Sequence, residues 1–357
     1  MTPTDWLSFL LGIPSPTFGE QALNAAVRER LQTAVPELRW REHADSLILS
    51  LPWQVGKPHL ALVGHSDTVP EWFQPYQQKG RFYGSGASDM KGALAAFFAL
   101  LERHGSHLGQ HFNLSWILYA REEGTALPDN GLYALMDVFP DYFDSLDLAL
   151  VGEPTDNTLQ IGCVGSLHMR LTVRGQACHS ARPWNGVNAL YRALPLIQKL
   201  AALEPVPQRV FGVDFYDVVQ ITESQSEPGR TSLPGWWRAN VNYRFAPVHT
   251  PAQAEADLRR LLTEAGADPA ELELIDGVPP GRVIESELFQ RVVARLNQPV
   301  QAKQAWTDVA QFSARGIPAF NYGPGLTAQA HQRHEYLEHS LLETYTASLE
   351  SLLLNPL

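Results

Sequence analysis

Residues 60–70 read LALVGHSDTVP, an apolar and branched run that ends in a histidine and an aspartate. A run this short and this apolar is typical of a strand that is buried in a parallel sheet. In open α/β sheets, ligands collect beyond the carboxyl ends of the strands. Because His65 and Asp67 follow the apolar residues directly, we expect both side chains to lie at that edge of a sheet.

Side chains of the same chemical type follow three more apolar runs. They are Glu122 and Glu123 after LSWILYA (114–120), Glu153 after LDLALVG (146–152), and His331 a few residues after IPAFNYG (317–323). Because the strands of a parallel sheet end at one edge, we expect these side chains to lie near His65. Asp89 is a further candidate, since it precedes MKGALAAFFALL (90–101), a stretch long enough for a buried helix.

The chemistry of this set predicts a two-metal hydrolase. Imidazole nitrogens and carboxylate oxygens without a thiolate suit zinc, and they also admit cobalt or manganese. Two divalent ions about 3.5–4 Å apart can share a water and lower its pKa toward neutrality. A bridging carboxylate is needed because two cations that close repel each other strongly. We therefore expect two divalent metal ions as cofactors, with zinc as the first choice.

Composition favours an ordinary globular enzyme of about two domains, with 357 residues of which 45% are hydrophobic. The net charge of -11 comes without any Lys/Arg run, so we expect no nucleic-acid partner and interpret the acidity as solubility. Cys163 and Cys178 form neither a disulfide framework nor a zinc knuckle, which fits a reducing cytoplasm. The N-terminus has no basic leader, and its apolar stretch is too short for a membrane span.

Helical and strand patterns alternate over residues 1–165, which predicts an α/β domain with a doubly wound mixed sheet. From residue 166 the pattern changes, because SLHMRLTVRG and two later segments alternate apolar and polar residues as antiparallel strands do. Two helical patterns accompany these segments, and the α/β pattern returns at residue 281. We therefore expect a catalytic domain formed by residues 1–165 and 281–357. A smaller α+β dimerisation domain, with two helices on an antiparallel sheet, is expected to be inserted at 166–280.

Seven segments, in this order and spacing, resemble the di-zinc aminoacylase and carboxypeptidase family over nearly the whole chain. They are HSDTVP, GSGASDMKG, REEG, LVGEPT, CHSARPWNGVNA, VNYRFAP, and GPG followed by AHQRHE. The resemblance implies that Asp89 bridges both metal ions. It implies that His65 and Glu153 complete one metal site, and that Glu123 and His331 complete the other. It also implies a cis peptide bond directly after Asp89.

The resemblance further implies which residues act on water and substrate. Glu122 would be the general base, and Asp67 would hold the far nitrogen of His65. His179 of the inserted domain would donate a hydrogen bond to the oxyanion in the active site of the partner subunit, which implies a homodimer with composite active sites. From the residues alone, Asp67 could instead cap the turn after the strand, and His179 could be a surface histidine at a strand end.

Two metal-site assignments have neighbours that compete with them. Glu122 and Glu123 could exchange roles, which their spacing alone leaves open. His334 lies close to His331, but the family spacing of a histidine, three residues and a glutamate selects His331, with Glu335 behind it.

The residues that would recognise the substrate are less clearly marked. Arg244 in VNYRFAP is expected to pair with a substrate carboxylate, because arginine suits bidentate recognition; the alternative is a structural ion pair. Asn188 in GVNA and Gly325 in GPG are further candidates for lining the pocket. Thr231 stands where the family carries an asparagine that reaches the reacting carbonyl, and Arg230 is a neighbouring alternative.

Within the family, the segments are most similar to those of enzymes that release succinate from N-succinyl-LL-2,6-diaminopimelate. A small N-acyl amino acid is therefore the expected substrate. Alternatives are the deacylation of acetylornithine, acetylcitrulline or an aminoadipate-pathway intermediate, and a carboxypeptidase or dipeptidase activity. A non-catalytic homologue that only binds its ligand is a further alternative, but such a protein would need no base, and Glu122 is present.

Overall fold

The structure is a computed structural model that describes residues 1–69 and 71–357. Its helices in these residues are α1 Pro3–Leu11, α2 Gln21–Ala34, α3 Gly92–His104, α4 Gly131–Val138, α5 Pro140–Asp144, α6 Ala189–Ala201, α7 Pro251–Ala265, α8 Glu287–Leu296, α9 Val309–Ala314 and α10 His339–Leu354. Its strands are β1 Arg39–His43, β2 Ser46–Ser50, β3 His59–His65, β4 Tyr76–Gln78, β5 Arg81–Tyr83, β6 Asn113–Tyr119, β7 Leu148–Val151, β8 Leu159–Ile161, β9 Gly165–Arg174, β10 Cys178–His179, β11 Val206–Val210, β12 Val213–Ser226, β13 Ser232–Leu233, β14 Trp236–Phe245, β15 Leu272–Val278, β16 Val300–Ala302, β17 Ala319–Asn321 and β18 Tyr336–Glu338.

The chain forms two compact units. The first contains Met1–Gly162, Val283–Gln301 and Thr307–Leu357, and the second contains Cys163–Arg282 and Ala302–Trp306. The sequence had placed the corresponding boundaries after residues 165 and 280. The short segment Ala302–Trp306 lies in the second unit because its backbone bonds there, with Val164 N–H donating to the Lys303 carbonyl.

The first unit is built on an eight-stranded sheet with the order β1-β2-β6-β3-β7-β17-β8-β16. Strands β6, β3, β7 and β17 run parallel, whereas β2 and β8 pair with this group in the antiparallel direction. Every residue of the four parallel strands is buried, as is usual for parallel strands, whose faces are covered by crossover helices. The predicted α/β fold with a doubly wound mixed sheet is confirmed.

Helix α3 anchors the segment that carries Asp89. It begins at Gly92, and all its residues from Gly92 to Leu101 are buried. A helix that is apolar on all sides must be covered on all sides, and α3 packs against α1, α10 and β3. Neither α3 nor any other helix in the described residues is long and apolar enough to cross a membrane.

The second unit contains an antiparallel sheet with the order β11-β12-β14-β9-β15. Strand β9 alternates as its sequence predicts: Leu167, Met169 and Leu171 are buried in an apolar core, and they alternate with His168 and Arg170. The same core includes apolar residues of α6 and α7, so both helices cover one face of the sheet. The predicted layer of two helices on an antiparallel sheet is confirmed.

Candidate metal centre

The parallel strands of the first unit bring the candidate ligands to one edge. Strand β3 ends at His65, and its neighbours β6 and β7 end just before Glu122–Glu123 and Glu153. Strand β17 pairs in parallel with β7 and is followed by the loop that carries His331. Because these four strands are adjacent and point the same way, side chains far apart in sequence meet at their carboxyl ends.

Asp89 lies between the two histidines and turns one oxygen toward each. Its Oδ1 is 3.2 Å from Nε2 of His65, and its Oδ2 is 3.6 Å from Nε2 of His331. Glu153 Oε1 lies 3.9 Å from the same nitrogen of His65. Glu123 Oε2 lies 2.9 Å from that of His331. The five side chains thus form two groups, each of one histidine and one glutamate, that share Asp89.

This donor set fits divalent metal ions. Donors bound to one tetrahedral ion at 2.0–2.1 Å lie about 3.3–3.4 Å apart, close to the 2.9 to 3.9 Å separations found here. His65, Asp89 and Glu123 each offer one ligand atom, and these atoms all lie within 4.8 Å of one another. Nitrogen and carboxylate oxygen donors without a thiolate suit zinc, cobalt or manganese. His334, the neighbour of His331, instead has its ring beside Phe73 at 6.4 Å.

The carboxylates around the histidines favour positive charge. Burial lowers the pKa of His65, but its hydrogen bonds with Asp67 and Asp89 outweigh burial and hold that pKa well above its usual value. The hydrogen bond with Glu123 raises the pKa of His331 to about 9. A metal ion can replace these protons, because it interacts with the same carboxylates and needs neutral imidazole ligands.

A buried carboxylate holds the backbone segment that leads into Asp89. Glu335 Oε1 accepts the N–H groups of Ser88 at 2.7 Å and Asp89 at 2.8 Å, and its Oε2 accepts that of Gly86 at 2.7 Å. The Asp89–Met90 peptide bond is cis, as the family resemblance implies. Gly325 packs against the same segment, and a Cβ atom at this position would lie 2.0 Å from the Ser88 carbonyl oxygen. Only glycine therefore permits this close approach.

Asp67 connects two strand ends. The far nitrogen of His65, Nδ1, lies 3.0 Å from the backbone carbonyl of Asp67 and 3.4 Å from its Oδ1. As Nδ1 donates to that carbonyl, Nε2 is left with a lone pair directed at the ligand group. The Asp67 carboxylate also accepts the backbone N–H groups of Glu122 at 3.0 Å and Glu123 at 2.8 Å. Asp67 therefore orients both the histidine and the two glutamates.

The carboxyl group of Glu122 lies in an environment that retains a proton. Burial raises its pKa well above the usual value, and the charges of Asp308, Glu153 and Glu123 raise it further, although His65 acts in the opposite direction. A carboxylate with a raised pKa is a better proton acceptor near neutral pH.

Tyr119 and Asp308 form a buried pair beside this centre that the sequence analysis did not single out. The Tyr119 hydroxyl donates to Asp308 Oδ2 at 2.5 Å, and the Tyr119 ring meets the His65 ring edge-on at a centroid distance of 6.1 Å. Asn130 and Gln311 also donate to the Asp308 carboxylate. Asp308 stands at the N-terminal end of helix α9 and does not follow an apolar strand-like run, so the pattern that marked the other candidates did not mark it.

The remaining candidates lie in the second unit, where His179 and Thr231 are neighbours. His179 on β10 pairs with Ser232 on β13, and the Thr231 carbonyl accepts the Ser180 N–H at 2.8 Å. Nδ1 of His179 accepts the backbone N–H of Ala181 at 3.1 Å. In the neutral ring the proton is therefore on Nε2, which leaves an N–H group able to donate.

Arg244 and Asn188 have different surroundings. Arg244 is half-buried on β14, and burial lowers its pKa. Its Nε donates to Asn242 Oδ1 at 3.1 Å, and no ion pair of Arg244 occurs within residues 1–69 and 71–357. Asn188 caps helix α6, where its Oδ1 accepts the N–H groups of Leu190 and Tyr191. The structure thus gives the Asn188 side chain a role in the fold, and its contact with substrate stays a prediction.

Candidate metal ligands that lie at the ends of parallel strands and surround one carboxylate are typical of metallohydrolases with an α/β fold. The chain belongs to peptidase family M20/M25/M40, whose model matches residues 61–355. It is similar to the succinyl-diaminopimelate desuccinylase of Corynebacterium glutamicum, with 31% identity over 91% of this chain and 89% of that protein. The desuccinylase of Halorhodospira halophila is 28% identical over 95% of this chain and 94% of that protein.

Solved structures share the fold at low identity. A tripeptidase from Staphylococcus aureus superposes with a TM-score of 0.75 at 16% identity, covering 99% of this chain and 97% of that one. A dinuclear metal-binding peptidase of the same family from Bacillus subtilis gives a TM-score of 0.67 at 14% identity, covering 99% and 96%. The family and the desuccinylase relatives identify the chain as a hydrolytic enzyme that acts on amide bonds.

Proposed function

We propose that this enzyme hydrolyses N-succinyl-LL-2,6-diaminopimelate to succinate and LL-2,6-diaminopimelate, with two divalent metal ions, first of all zinc. The observation that carries the two-metal part is Asp89, which turns Oδ1 toward His65 and Oδ2 toward His331. The substrate comes from the relatives named desuccinylase, which match this chain over nearly its whole length.

The ligand assignment follows the two groups around Asp89. His65 and Glu153 would hold one ion, Glu123 and His331 the other, and Asp89 would bind both. When bound, the ions supply charge that polarises the scissile carbonyl and makes water acidic enough to react near neutral pH. The short contact between Glu123 and His331, at 2.9 Å, supports Glu123 as the ligand of the pair Glu122–Glu123.

Glu122 then acts as the general base. Its carboxylate would take a proton from the attacking water and later return it to the nitrogen of the leaving amine. Burial and the neighbouring carboxylates raise the pKa of Glu122, which increases its affinity for that proton. The hydrogen bond from its backbone N–H to Asp67 fixes the position of Glu122 beside Glu123, the proposed metal ligand.

His179 and Arg244 act on the substrate itself. Nε2–H of His179 would donate to the oxygen of the scissile carbonyl as negative charge develops there, and the N–H bond accepted by its Nδ1 supports this tautomer. Arg244 would bind a substrate carboxylate, which is supported by its half-buried guanidinium and its lack of an acidic partner among the described residues. Thr231, beside His179, would contact the acyl group. Asn188 and Gly325 are assigned to the margin of the pocket.

We further propose that the second unit, residues 166–280, is an inserted dimerisation domain and that the enzyme is a homodimer. Strand β12 pairs with β11 only over residues 213–217, so residues 218–226 have a neighbouring strand on one side only, β14, in the described chain. Helix α6 packs beside β12 and exposes Tyr191 (68%) and Leu194 (44%). An open strand edge next to exposed apolar side chains is a surface that a second subunit can cover. In this dimer, His179 would serve the metal centre of the partner subunit.

We assign the enzyme to the cytoplasm. Cys163 is buried and Cys178 is half-buried, and no disulfide bond joins these two described cysteines, which supports a reducing compartment.

Amine release from a panel of N-acyl substrates tests the proposal, with zinc-loaded and chelator-treated protein side by side. The panel holds N-succinyl-LL-2,6-diaminopimelate, acetylornithine, acetylcitrulline and several dipeptides. Metal-dependent turnover that favours the succinyl compound at least tenfold in kcat/KM is expected. Preference for an acetyl compound or a dipeptide would be compatible with the two-metal chemistry but would refute the proposed substrate. No turnover of any compound in the panel would refute the proposal that the chain is a hydrolase.

A further inference from the structure

A cavity of about 550 Å³ opens on a polar face of the sheet in the second unit. Polar side chains of the paired strands β9 and β14 line it, among them His168, Arg170, Asn240, Asn242 and Arg244. The residues that alternate with them, such as Met169 and Val241, are buried in the apolar core that includes α6 and α7. The polar side chains therefore share the face of the sheet opposite to the two helices.

Arg244 brings a positive charge to this cavity, whose lining also includes Glu223 and Asp276. Its guanidinium is half-buried, and no acidic side chain of the described residues pairs with it. Its side chain makes one described hydrogen bond, from Nε to Oδ1 of Asn242 at 3.1 Å. The terminal nitrogens of the guanidinium are therefore available to a ligand that carries a carboxylate.

Asn242 is held in one orientation by the neighbouring strand. It is buried, with 7% of its surface exposed, and its Nδ2 lies 3.0 Å from the Leu167 carbonyl oxygen and 3.0 Å from Ser166 Oγ. A backbone carbonyl can only accept hydrogen bonds, so the NH₂ group of Asn242 must face Leu167. The Oδ1 atom must then point the other way, toward Nε of Arg244.

We propose that Asn242 is a positioning residue for substrate binding, which fixes the Arg244 guanidinium so that its terminal nitrogens face the cavity. The inference rests on the proposed function, in which Arg244 binds a substrate carboxylate. Without Asn242, Arg244 keeps its charge but must lose rotational freedom when the substrate binds. Ordering one such side chain weakens binding by about threefold to tenfold. The loss falls on KM, because Asn242 contacts no reacting atom.

The test compares Asn242→Leu and Arg244→Met with the unaltered zinc-loaded enzyme. We expect Asn242→Leu to raise the KM for N-succinyl-LL-2,6-diaminopimelate about threefold to tenfold with kcat unchanged. Arg244→Met removes a charge-assisted contact and should raise KM about tenfold to a hundredfold. In the double variant the effect of Asn242→Leu should vanish, because no guanidinium remains to be positioned.

Asn355→Leu is the control for the replacement of an asparagine by leucine. Asn355 is exposed and does not line the cavity, and its Nδ2 donates to the Ser351 carbonyl at 3.0 Å. Its replacement should leave KM unchanged. Asn242→Asp is a second variant of nearly the same size, for the case that the leucine variant does not fold. Its carboxylate would pair with Arg244 and compete with substrate, so KM should rise here too.

A second readout is the dissociation constant for succinate, measured by calorimetry, which needs no turnover. Unchanged KM and unchanged succinate affinity in both Asn242 variants, with Arg244→Met still impaired, would overturn the positioning role alone. Additive effects of the two substitutions on KM in the double variant would also overturn the positioning role of Asn242. A normal KM in Arg244→Met would instead refute the carboxylate contact in the proposed function. Failure of the unaltered enzyme both to hydrolyse the substrate and to bind succinate would overturn both proposals.

Discussion

Glu335 accepts the backbone N–H of Asp89 through Oε1 at 2.8 Å, although 246 residues separate the two in sequence. The same carboxylate accepts the N–H groups of Gly86 and Ser88, so it binds the turn from both ends. Burial and the nearby charge of Asp89 raise the pKa of Glu335 to about 8, against the effect of the three N–H groups. The carboxylate that we assign to both metal ions is thus itself held by a second carboxylate.

Glu335→Gln should weaken metal binding. The amide nitrogen of glutamine would face a backbone N–H where a carboxylate oxygen now accepts, so the turn that carries Asp89 loses a fixed position. We expect the affinity for zinc to fall about tenfold to a hundredfold, as measured by competition with a chromogenic chelator. Glu338→Gln, on a half-buried residue paired with Arg81, is the control and should bind zinc normally. Equal affinities in the two variants would contradict this role of Glu335.

His331→Gln and His334→Gln should differ in metal content. His331 lies 2.9 Å from Glu123 and 3.6 Å from Asp89, whereas the His334 ring lies beside Phe73. Elemental analysis after gel filtration should find one ion fewer per subunit in His331→Gln and an unchanged count in His334→Gln. The opposite result would move the ligand role to His334.

Glu122→Gln and Glu123→Gln separate the base from the ligand. Glu122→Gln should retain both metal ions and lose turnover by about 10²–10⁴-fold, because its amide cannot accept the proton of water. Glu123→Gln should lose metal, since it removes the carboxylate charge beside His331. Metal content and kcat measured on the same preparations decide which glutamate is the base and which is the metal ligand. Metal loss in the Glu122 variant with metal kept in the other would mean that the two residues exchange roles.

His179→Ala should leave the metal content unchanged and lower kcat by about 10²–10³-fold, with a smaller change in KM. The reason is that a donor to the developing oxyanion stabilises the transition state more than the bound substrate. A defect confined to metal content would remove His179 from the reaction.

Mixing His179→Ala with Glu122→Gln subunits tests the composite site. If His179 serves the partner subunit, each mixed dimer contains one site without either substitution. An equal mixture that exchanges subunits freely should then recover about a quarter of the unaltered activity. Each variant incubated alone provides the baseline. No recovery after proven subunit exchange would place His179 and Glu122 of the same subunit in one site.

His59, at the start of β3, should make stability depend on pH below neutrality. Burial lowers its pKa to about 4, while its Nε2 contacts Ser115 Oγ at 2.7 Å. In the unfolded chain His59 binds a proton near pH 6.5, and in the folded chain it does so only near pH 4. The contribution of neutral His59 to the stability of the fold is therefore complete above pH 6.5 and is lost as the pH falls toward 4. The loss amounts to about 3 kcal/mol.

Urea unfolding of chelator-treated protein at pH 7 and pH 4.5 measures this dependence. His59→Gln, which is neutral at both values, should lose less stability on acidification than the parent protein by about 2 kcal/mol. Identical losses in the two proteins would show that His59 is not buried in its neutral form.

The elements with strong local patterns could be predicted from the sequence. Strand β3, helix α3 and the alternating strand β9 each have a periodicity that selects one structure, and the structure agrees. The hairpin of β1 and β2 and the strands β11 and β15 were not predicted. Strand β1 is mostly exposed, as is β15 apart from Leu272, so neither has the run of buried residues that marks a strand in a sequence.

Local sequence by itself determined which residue types stand at the ends of the parallel strands. A short buried strand is visible in the sequence as a run of apolar residues, and the polar side chains follow that run directly. Only the tertiary structure decided how they combine: that Asp89 turns one oxygen to each histidine, that Glu123 meets His331, and that Asp67 holds the two glutamates. The contacts of Glu335 with Asp89 and of Asn242 with Arg244 and Leu167 also belong to this second group. Such contacts depend on the order of strands in a sheet and on the orientation of single side chains. Both are set by packing between segments that are distant in sequence, so local hydrophobic patterns do not encode them. The pairings around Asp89 were expected only from the family resemblance.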